Sequence, residues 1–265
     1  MDGWKTTIKK NVTCNNPLFI EGLPGIGNVG KVVIDILIEK LDAKEIGTFE
    51  SHHMPNSVFV NEKNLVELPM IKLYHANVNN EDFLFLTGDA QPSQEQASYE
   101  LTEELLSVIR SFKGKKLITL GGIGLSEMPE DPDVYVTGNN KTFIKEFKDY
   151  GADPNVYGVV GPIVGISGLL LALSKRHKIK AVALLGETYG HPMYIGLKEA
   201  RKILELFNKK YNFAIDLVDL DEEIEAIEKE MEEQEGIDAP DKISKARSKK
   251  LSKKLAKYQD LNYIG

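Results

Sequence analysis

The chain has few of the features that mark secreted and membrane proteins. Its 265 residues include a single cysteine, Cys14, so no internal disulfide can form, as expected in a reducing cytoplasm. The first ten residues are polar, and we therefore expect no secretory signal. No apolar run approaches the roughly 20 residues of a membrane-spanning helix. These absences predict a cytoplasmic protein with no membrane contact.

The chain also lacks an excess of positive charge. It has 33 Lys and Arg residues against 40 Asp and Glu residues, which gives a formal net charge of −7 at pH 7. A negative protein is repelled by nucleic acids and anionic membranes, so we expect neither as a general partner. A hydrophobic share of 42% is enough for a substantial core, and the length suits one large α/β domain with or without an appendage.

Short apolar segments alternate with helical patterns through most of the chain. Strands are predicted at residues 18–20, 44–50, 57–60, 82–87, 116–120, 133–138, 156–160 and 181–185, with residues 65–76 closing an early hairpin. Helices are predicted at residues 32–41, 93–112, 140–150, 169–174 and 197–209. This order is typical of a three-layer α/β/α fold with a mostly parallel sheet, which the hairpin makes mixed. We expect this core domain to occupy residues 1–220.

The composition changes sharply after Leu220. Residues 221–235 are acidic with apolar positions at helical spacing, and a basic segment follows a break at Pro240. The opposite charges favour a helical hairpin or packing against another subunit, whereas the alternative is two solvated helices whose charges contribute little. We expect a charged helical segment and tail over residues 221–265.

A glycine-rich segment joins the first predicted strand to the first helix. Gly25, Gly27 and Gly30 match the G-x-G-x-x-G pattern, in which glycines let the backbone approach a pyrophosphate. Glu50 lies twenty residues after Gly30, where a ribose-binding carboxylate is expected. However, Pro24 is not part of that pattern, and the pattern is common without a ligand. A tight crossover is the main interpretation, and a nucleotide site is the alternative.

Four polar side chains follow predicted strands and would share the carboxyl edge of the sheet. They are Asp89, Gln91, Glu127 and Glu187. An active site, if the chain has one, is expected at this edge, because ligands of α/β sheets bind there. Acidic loop residues are more commonly turn formers, so the hypothesis of catalysis has little support.

The remaining reactive side chains do not form a recognisable catalytic or metal-binding pattern. His52 and His53 are neighbours and point to opposite faces of an extended segment, and His191 lies in a turn. Ser167 is expected to cap the following helix, and Cys14 has no evident activating partner. We therefore predict no catalytic residue, no metal and no cofactor.

The order of the glycine-containing segments resembles the proteasome assembly chaperone 2 family in its archaeal branch. The resemblance extends over residues 17–221, and the matching segments are residues 22–31, 50–55, 88–92, 121–124, 161–168 and 186–188. It implies a fold similar to nucleoside phosphorylases, without their chemistry. It also implies homo-oligomers, such as a pentameric ring, that dock on the α-ring of the proteasome core particle.

The resemblance further implies a role for the carboxyl-terminal residues. Family members are expected to dock through a mobile tail of the pattern hydrophobic-Tyr-any residue, whose carboxylate meets a lysine between α subunits. The present chain ends in Tyr263, Ile264 and Gly265, so its tyrosine is one position further from the end than in that pattern, and Asn262 precedes it. These three residues are the predicted partner-binding site.

Together these features predict a non-enzymatic assembly chaperone that self-associates and offers its tails to proteasome α subunits. The alternative is a nucleotide- or nucleoside-binding enzyme that uses the glycine-rich loops at Gly25, Gly27 and Gly30.

Overall fold

The computed structural model describes residues 3–61, 63–158, 160–192 and 194–235. This part of the chain forms two compact units, one ending at Ile215 and the other starting at Asp216. The strands of the first unit are β1 Lys5–Ile8, β2 Leu18–Glu21, β3 Lys44–Glu50, β4 Phe59–Val60, β5 Val66–Glu67, β6 Ile71–Val78, β7 Glu81–Gly88, β8 Lys116–Leu125, β9 Val134–Gly138 and β10 Lys180–Tyr189. Its helices are α1 Val29–Lys40, α2 Glu95–Ser111, α3 Lys141–Lys148, α4 Ile166–Leu173 and α5 Leu197–Tyr211.

Eight strands form one mixed sheet in the order β1-β3-β6-β7-β2-β8-β10-β9. The four central strands β7, β2, β8 and β10 are parallel to one another, and the outer strands on both sides pair antiparallel. The predicted α/β class with a mixed sheet is therefore confirmed, and the parallel pairing lies in the centre. The sheet is less parallel than predicted, because four of its seven strand pairings are antiparallel. Strands β4 and β5 form a separate two-stranded sheet.

Helices cover both faces of the central strands, because those strands are apolar on both sides. In β7, Leu84 and Leu86 belong to the core cluster that contains residues of α2 and α4. The alternate residue Phe83 packs its ring against Phe213, 4.9 Å away between centroids, on the side of α5. Strand side chains alternate between faces, so one strand contributes to two cores. The predicted three layers follow from this arrangement.

The predicted turns at two glycine-containing segments are wrong. Strand β8 continues through Gly121 and Gly122 to Leu125, and β10 continues through Gly186 to Tyr189, because the two strands pair in parallel over their whole length. Glycine is needed at Gly122 for a packing reason, since a Cβ there would lie 2.4 Å from the Ile26 carbonyl oxygen. Glycine is typical of turns, but within a strand it also allows another segment of backbone to pack closely against that strand.

Three other local predictions also differ from the structure. The described residues between Pro154 and Gly165 form a loop instead of a strand. Residues 65–76 divide between β5 and β6, which belong to different sheets. Helix α2 begins after Gln94, whose side chain makes no capping hydrogen bond, so Ser93 is not its cap.

The second unit contains α6, Val218–Glu235, within the described residues. Asp216 lies two residues before this helix, and its carboxylate accepts a hydrogen bond of 3.0 Å from the backbone N–H of Val218, the first helical residue. Asp219 and Asp221 follow in the first turn, where negative charge interacts favourably with the helix dipole.

Candidate functional site

A cleft of about 940 Å³ opens at the carboxyl edge of the central strands. Four segments line it: the loop around Gly25 and Ile26, the approach to α2 from Gln91 to Tyr99, the end of β8, and the loop before α4. Ile26, Tyr99 and Val164 each expose more than half of their side chains at this cleft. The cleft therefore combines an apolar rim with a backbone-rich floor.

Gln91 connects two walls of the cleft. Its side-chain Nε2 donates to the carbonyl oxygen of Pro24 at 2.8 Å, and its Oε1 accepts from the backbone N–H of Ile166 at 3.1 Å. Gly165 passes close by with φ of 80°, and a Cβ there would lie 2.5 Å from Gln91 Oε1. This amide ties the glycine loop to the start of α4, so Gln91 has a positioning role in shaping the cleft.

A buried carboxylic acid lies beside the cleft. Glu21 ends β2 and is fully buried, with Ser167 Oγ donating to its Oε2 at 2.9 Å and the Leu23 N–H donating to its Oε1 at 3.0 Å. Burial raises the pKa of Glu21 to about 7, against the opposing effect of the two hydrogen bonds. The expectation that Ser167 caps α4 is wrong, because its hydroxyl binds Glu21 and the cap position is Gly165.

We expect the contribution of Glu21 to the stability of the protein to fall as pH rises from 4.5, the ordinary pKa of glutamate, to about 7, its pKa in the folded state. In that interval the folded state still holds the Glu21 proton, whereas the unfolded state has lost it. Glu21→Gln removes this dependence, and it should stabilise the protein by roughly 3 kcal/mol above about pH 8. Urea denaturation at about pH 5 and about pH 8 measures the difference.

The exposed variant Glu127→Gln serves as the control for this measurement. It should leave the free energy of unfolding within about 0.5 kcal/mol of the parent at both pH values, as surface substitutions usually do. Equal stability of Glu21→Gln and the parent protein at high pH would show that burial does not raise the pKa of Glu21 in the folded state.

The glycines of the predicted ligand loop lie in different environments. Gly25 lines the cleft, and a Cβ added to it would meet no atom within 4 Å. Gly27, with φ of 61°, is buried, and a Cβ there would lie 2.4 Å from Thr188 Oγ1. Gly30 is also buried, and its Cβ would lie 2.6 Å from the carbonyl oxygen of Leu120.

The start of α1 is enclosed by the protein itself. Val29, its first residue, is fully buried, and the carbonyl oxygen of Gly27 accepts a hydrogen bond of 2.8 Å from the backbone N–H of Gly196. Gly27 and Gly30 therefore allow close packing of the loop against β10 and β8. A nucleotide site at Gly25, Gly27 and Gly30 stays a prediction.

A second buried acid lies behind this loop. Glu199, in the first turn of α5, is fully buried, and within the described residues neither of its carboxylate oxygens has a hydrogen-bond partner of good geometry. Burial raises the pKa of Glu199, while the neighbouring Thr188 and Tyr194 hydroxyl groups act in the opposite direction. The sequence showed this residue only as one polar position in a helical pattern.

The four polar residues predicted to converge at the sheet edge do not meet. Gln91 lines the cleft, whereas Asp89 accepts a hydrogen bond of 2.8 Å from the Met70 N–H at the start of β6. Glu187 accepts from the Tyr135 hydroxyl at 3.3 Å beside β9, and Glu127 is exposed. The contacts of Asp89 and Glu187 position strand ends, and none of the three predicted carboxylates lines the cleft.

Glu50 is also far from the glycine loop in the topology. Strand β3 is separated from β2 by β6 and β7, and the Glu50 carboxylate pairs with Lys5 of the edge strand at 3.3 Å. Glu50 is therefore a carboxylate at the end of β3, and it is not placed to bind a ribose next to Gly25.

The β4–β5 hairpin carries an exposed apolar face. Val60 and Val66 are directly opposite each other in the hairpin and are each 67% exposed. Val58 and Leu68 flank them with 56% and 72% exposure. We call these four residues the hairpin face. Contiguous exposed apolar residues mark sites of protein interaction, so this face is a candidate interface.

Tyr263, Ile264 and Gly265 lie outside the described residues, and their role as a partner-binding site stays a prediction. Among the helices that the structure describes, none has the length and apolar character needed to cross a membrane.

The sequence and the fold of the chain are similar to those of known proteins. The chain belongs to the PAC2 family, whose pattern matches residues 19–235, and the predicted family is thereby confirmed. An uncharacterized protein of Methanocaldococcus jannaschii is 28% identical over 253 residues, which cover 94% of this chain and 93% of the relative.

Two solved structures from Pyrococcus furiosus are similar throughout. PbaB, an archaeal proteasome activator, superposes with a TM-score of 0.80 at 28% identity, covering 89% of this chain and all of that chain. PbaA, an archaeal homolog of proteasome-assembly chaperone, superposes with a TM-score of 0.69 at 26% identity, covering 86% of this chain and 94% of that chain.

Proposed function

We propose that this protein is a proteasome assembly chaperone-like protein that self-associates and docks its carboxyl-terminal tails on proteasome α-subunit rings. The observation that carries the proposal is its similarity, along most of both chains, to two relatives whose names link them to the proteasome. Membership of the PAC2 family over residues 19–235 supports the same role. The role needs no chemistry at the cleft.

The proposed mechanism depends on several weak contacts acting together. One tail that ends in Tyr263, Ile264 and Gly265 offers an aromatic ring and a terminal carboxylate, which alone give modest affinity. When several tails are held on one oligomer, each later contact becomes intramolecular, and the overall affinity can rise by about 10²–10⁴. Self-association is therefore required for tight docking on a ring with repeated sites.

The hairpin face is the proposed self-association surface. A two-stranded hairpin is marginally stable alone in water, and the four exposed side chains of this face carry no charge. A second copy of the chain supplies an apolar surface of matching size. Burying the remaining exposed part of each of these side chains would contribute about 1–2 kcal/mol.

Val66→Lys should therefore convert the oligomer into a smaller species, because an ammonium group would be buried without a partner in the apolar contact. The matched control is Glu67→Lys, which adds a lysine at the neighbouring position on the opposite side of the same strand. Sedimentation velocity should show a reduced mass for Val66→Lys alone. An unchanged mass in both variants would remove the hairpin face from the assembly.

A second role, activation of the assembled proteasome, is favoured by one observation. The activator PbaB has the higher TM-score and identity of the two Pyrococcus relatives described above. Activation and assembly share the docking step on the α-ring but differ in the product. A chaperone increases the yield of complete particles, whereas an activator increases degradation by particles that are already complete.

One experiment separates the two roles. The full-length protein is added either to unassembled α and β subunits or to purified core particles, and particle yield and degradation of an unfolded protein substrate are measured. Higher yield with unchanged degradation supports the chaperone role, and the reverse result supports activation. No change in either assay would contradict both roles.

A further inference from the structure

Three residues with metal-binding side chains meet at the opposite edge of the sheet from the cleft. Cys14, His75 and Asp82 place one ligand atom each within 4.8 Å of the others. All three are half-buried. Asp82 lies at the start of β7, whereas the cleft is formed beyond the ends of the central parallel strands.

The backbone fixes two of these residues relative to each other. His75 and Asp82 lie on the antiparallel β6–β7 pair, where Asn77 is opposite Asp82 and His75 is opposite Leu84. Their side chains are therefore diagonal neighbours on one face of the sheet. Asn79 and Asn80, both with positive φ, form the turn that sets this register. Sites on strands are held more precisely than sites on loops.

The carboxylate of Asp82 is oriented by its neighbours. Its Oδ1 is 2.9 Å from His75 Nε2 and also accepts from Asn77 Nδ2 at 2.9 Å. Its Oδ2 accepts from the backbone N–H of Asn15 at 2.9 Å, which places the adjacent Cys14 at the same location. Metal ligands are commonly held by such outer hydrogen bonds.

We propose that Cys14, His75 and Asp82 bind a zinc-type divalent ion, with a water molecule as the fourth ligand. A thiolate, an imidazole and a carboxylate are the three donor types that Zn²⁺ accepts in tetrahedral sites. Bond lengths of about 2.0–2.3 Å require ligand atoms about 3.3–3.7 Å apart. The His75–Asp82 pair needs to open by a few tenths of an ångström, and Cys14 reaches the site by a small side-chain movement.

The alternative use of these residues as a nucleophile with its base has weaker support. His75 Nε2 lies 2.9 Å from Asp82 Oδ1, and within the described residues no hydrogen bond joins His75 to the Cys14 thiol, so the thiol has no base in contact with it. A bound ion would instead join the segment before β2 to the β6–β7 pair. The role of the ion is therefore to hold the fold together, and it is independent of the tail and of the cleft.

The test uses untagged, chelator-treated full-length protein titrated with cobalt(II) chloride and then zinc chloride. Cobalt should bind at one equivalent and give a thiolate-to-cobalt charge-transfer band in the near ultraviolet, and zinc should abolish the band by displacement. Zinc should bind with a dissociation constant below about 1 μM and raise the melting temperature.

Single substitutions test which side chains bind the ion. Cys14→Ser should remove the charge-transfer band, and Asp82→Asn should weaken zinc binding by at least about 100-fold. Asn77→Ala, which removes an outer hydrogen bond, should weaken it by about 10-fold. His53→Ala controls for binding by histidines elsewhere and should bind normally. A parent protein that shows no band, or zinc affinity unchanged in both Cys14→Ser and Asp82→Asn, would overturn the proposal.

Discussion

Removal of Tyr263, Ile264 and Gly265 should reduce the capture of proteasome α-subunit rings to background. The proposed contact uses the tyrosine ring and the terminal carboxylate, so the deletion removes the aromatic group and moves the carboxylate. Because the effect is multiplied over all tails of an oligomer, the loss of apparent affinity should reach about 10²-fold or more. A binding assay with immobilised rings measures the affinities of the parent and the truncated protein directly.

Two controls make the tail experiment specific. The truncated protein should keep the melting temperature and sedimentation coefficient of the parent, which shows that the fold and the oligomer are intact. Deleting Gly265 alone places Tyr263 next to last, which is the position of the tyrosine in the family pattern, although Asn262 still precedes it. This variant should still capture rings. Undiminished capture by the protein that lacks all three residues would exclude the tail from docking.

Gly22→Ala should prevent stable folding, whereas Gly25→Ala should be tolerated. A Cβ at Gly22 would lie 2.1 Å from the carbonyl oxygen of Gly30 and 2.5 Å from Ile34, so α1 would have to move away from β2. Overpacking of a rigid core typically costs about 1–3 kcal/mol, and a clash with backbone should exceed that range. Thermal unfolding followed by circular dichroism measures the effect.

Gly25 is the matched position in the same loop. Its φ of −160° is extended backbone that any residue adopts, and a Cβ there meets no atom within 4 Å. The melting temperature of Gly25→Ala should therefore stay close to that of the parent. Equal melting temperatures for all three proteins would show that α1 and β2 are less closely packed than the structure indicates.

The sequence was sufficient to predict elements whose signal is local. Helix α2 was predictable because Leu101, Leu105 and Ile109 recur at helical spacing and are all fully buried. The short apolar strands β2 and β7 and the glycine-rich crossover into α1 were predictable for the same reason. Family membership was predictable because several glycine-containing segments keep their order along the chain.

Features that depend on distant residues were not predictable from local patterns. Position 122 of strand β8 needs a glycine because the Ile26 backbone packs directly on it, and only the folded chain brings Gly122 and Ile26 together. The hydrogen bond between Glu21 and Ser167 joins residues 146 positions apart. A glutamate at the end of an apolar strand was the available signal that a buried acid was present.

The Cys14, His75 and Asp82 cluster was missed for a similar reason. The prediction of an inert Cys14 considered neighbours along the chain, whereas its partners come from β6 and β7. The Asn79 and Asn80 pair between two apolar segments indicated a two-residue turn, which would have placed His75 near Asp82. No local pattern placed Cys14 beside them.

Sedimentation velocity of the untagged full-length protein mixed with proteasome α-subunit rings tests most directly whether this protein is a scaffold for the proteasome. If the proposed role is correct, the rings and the protein sediment together as one faster species at micromolar concentrations and near-physiological salt. Independent sedimentation of the two components over the whole concentration range would contradict that role.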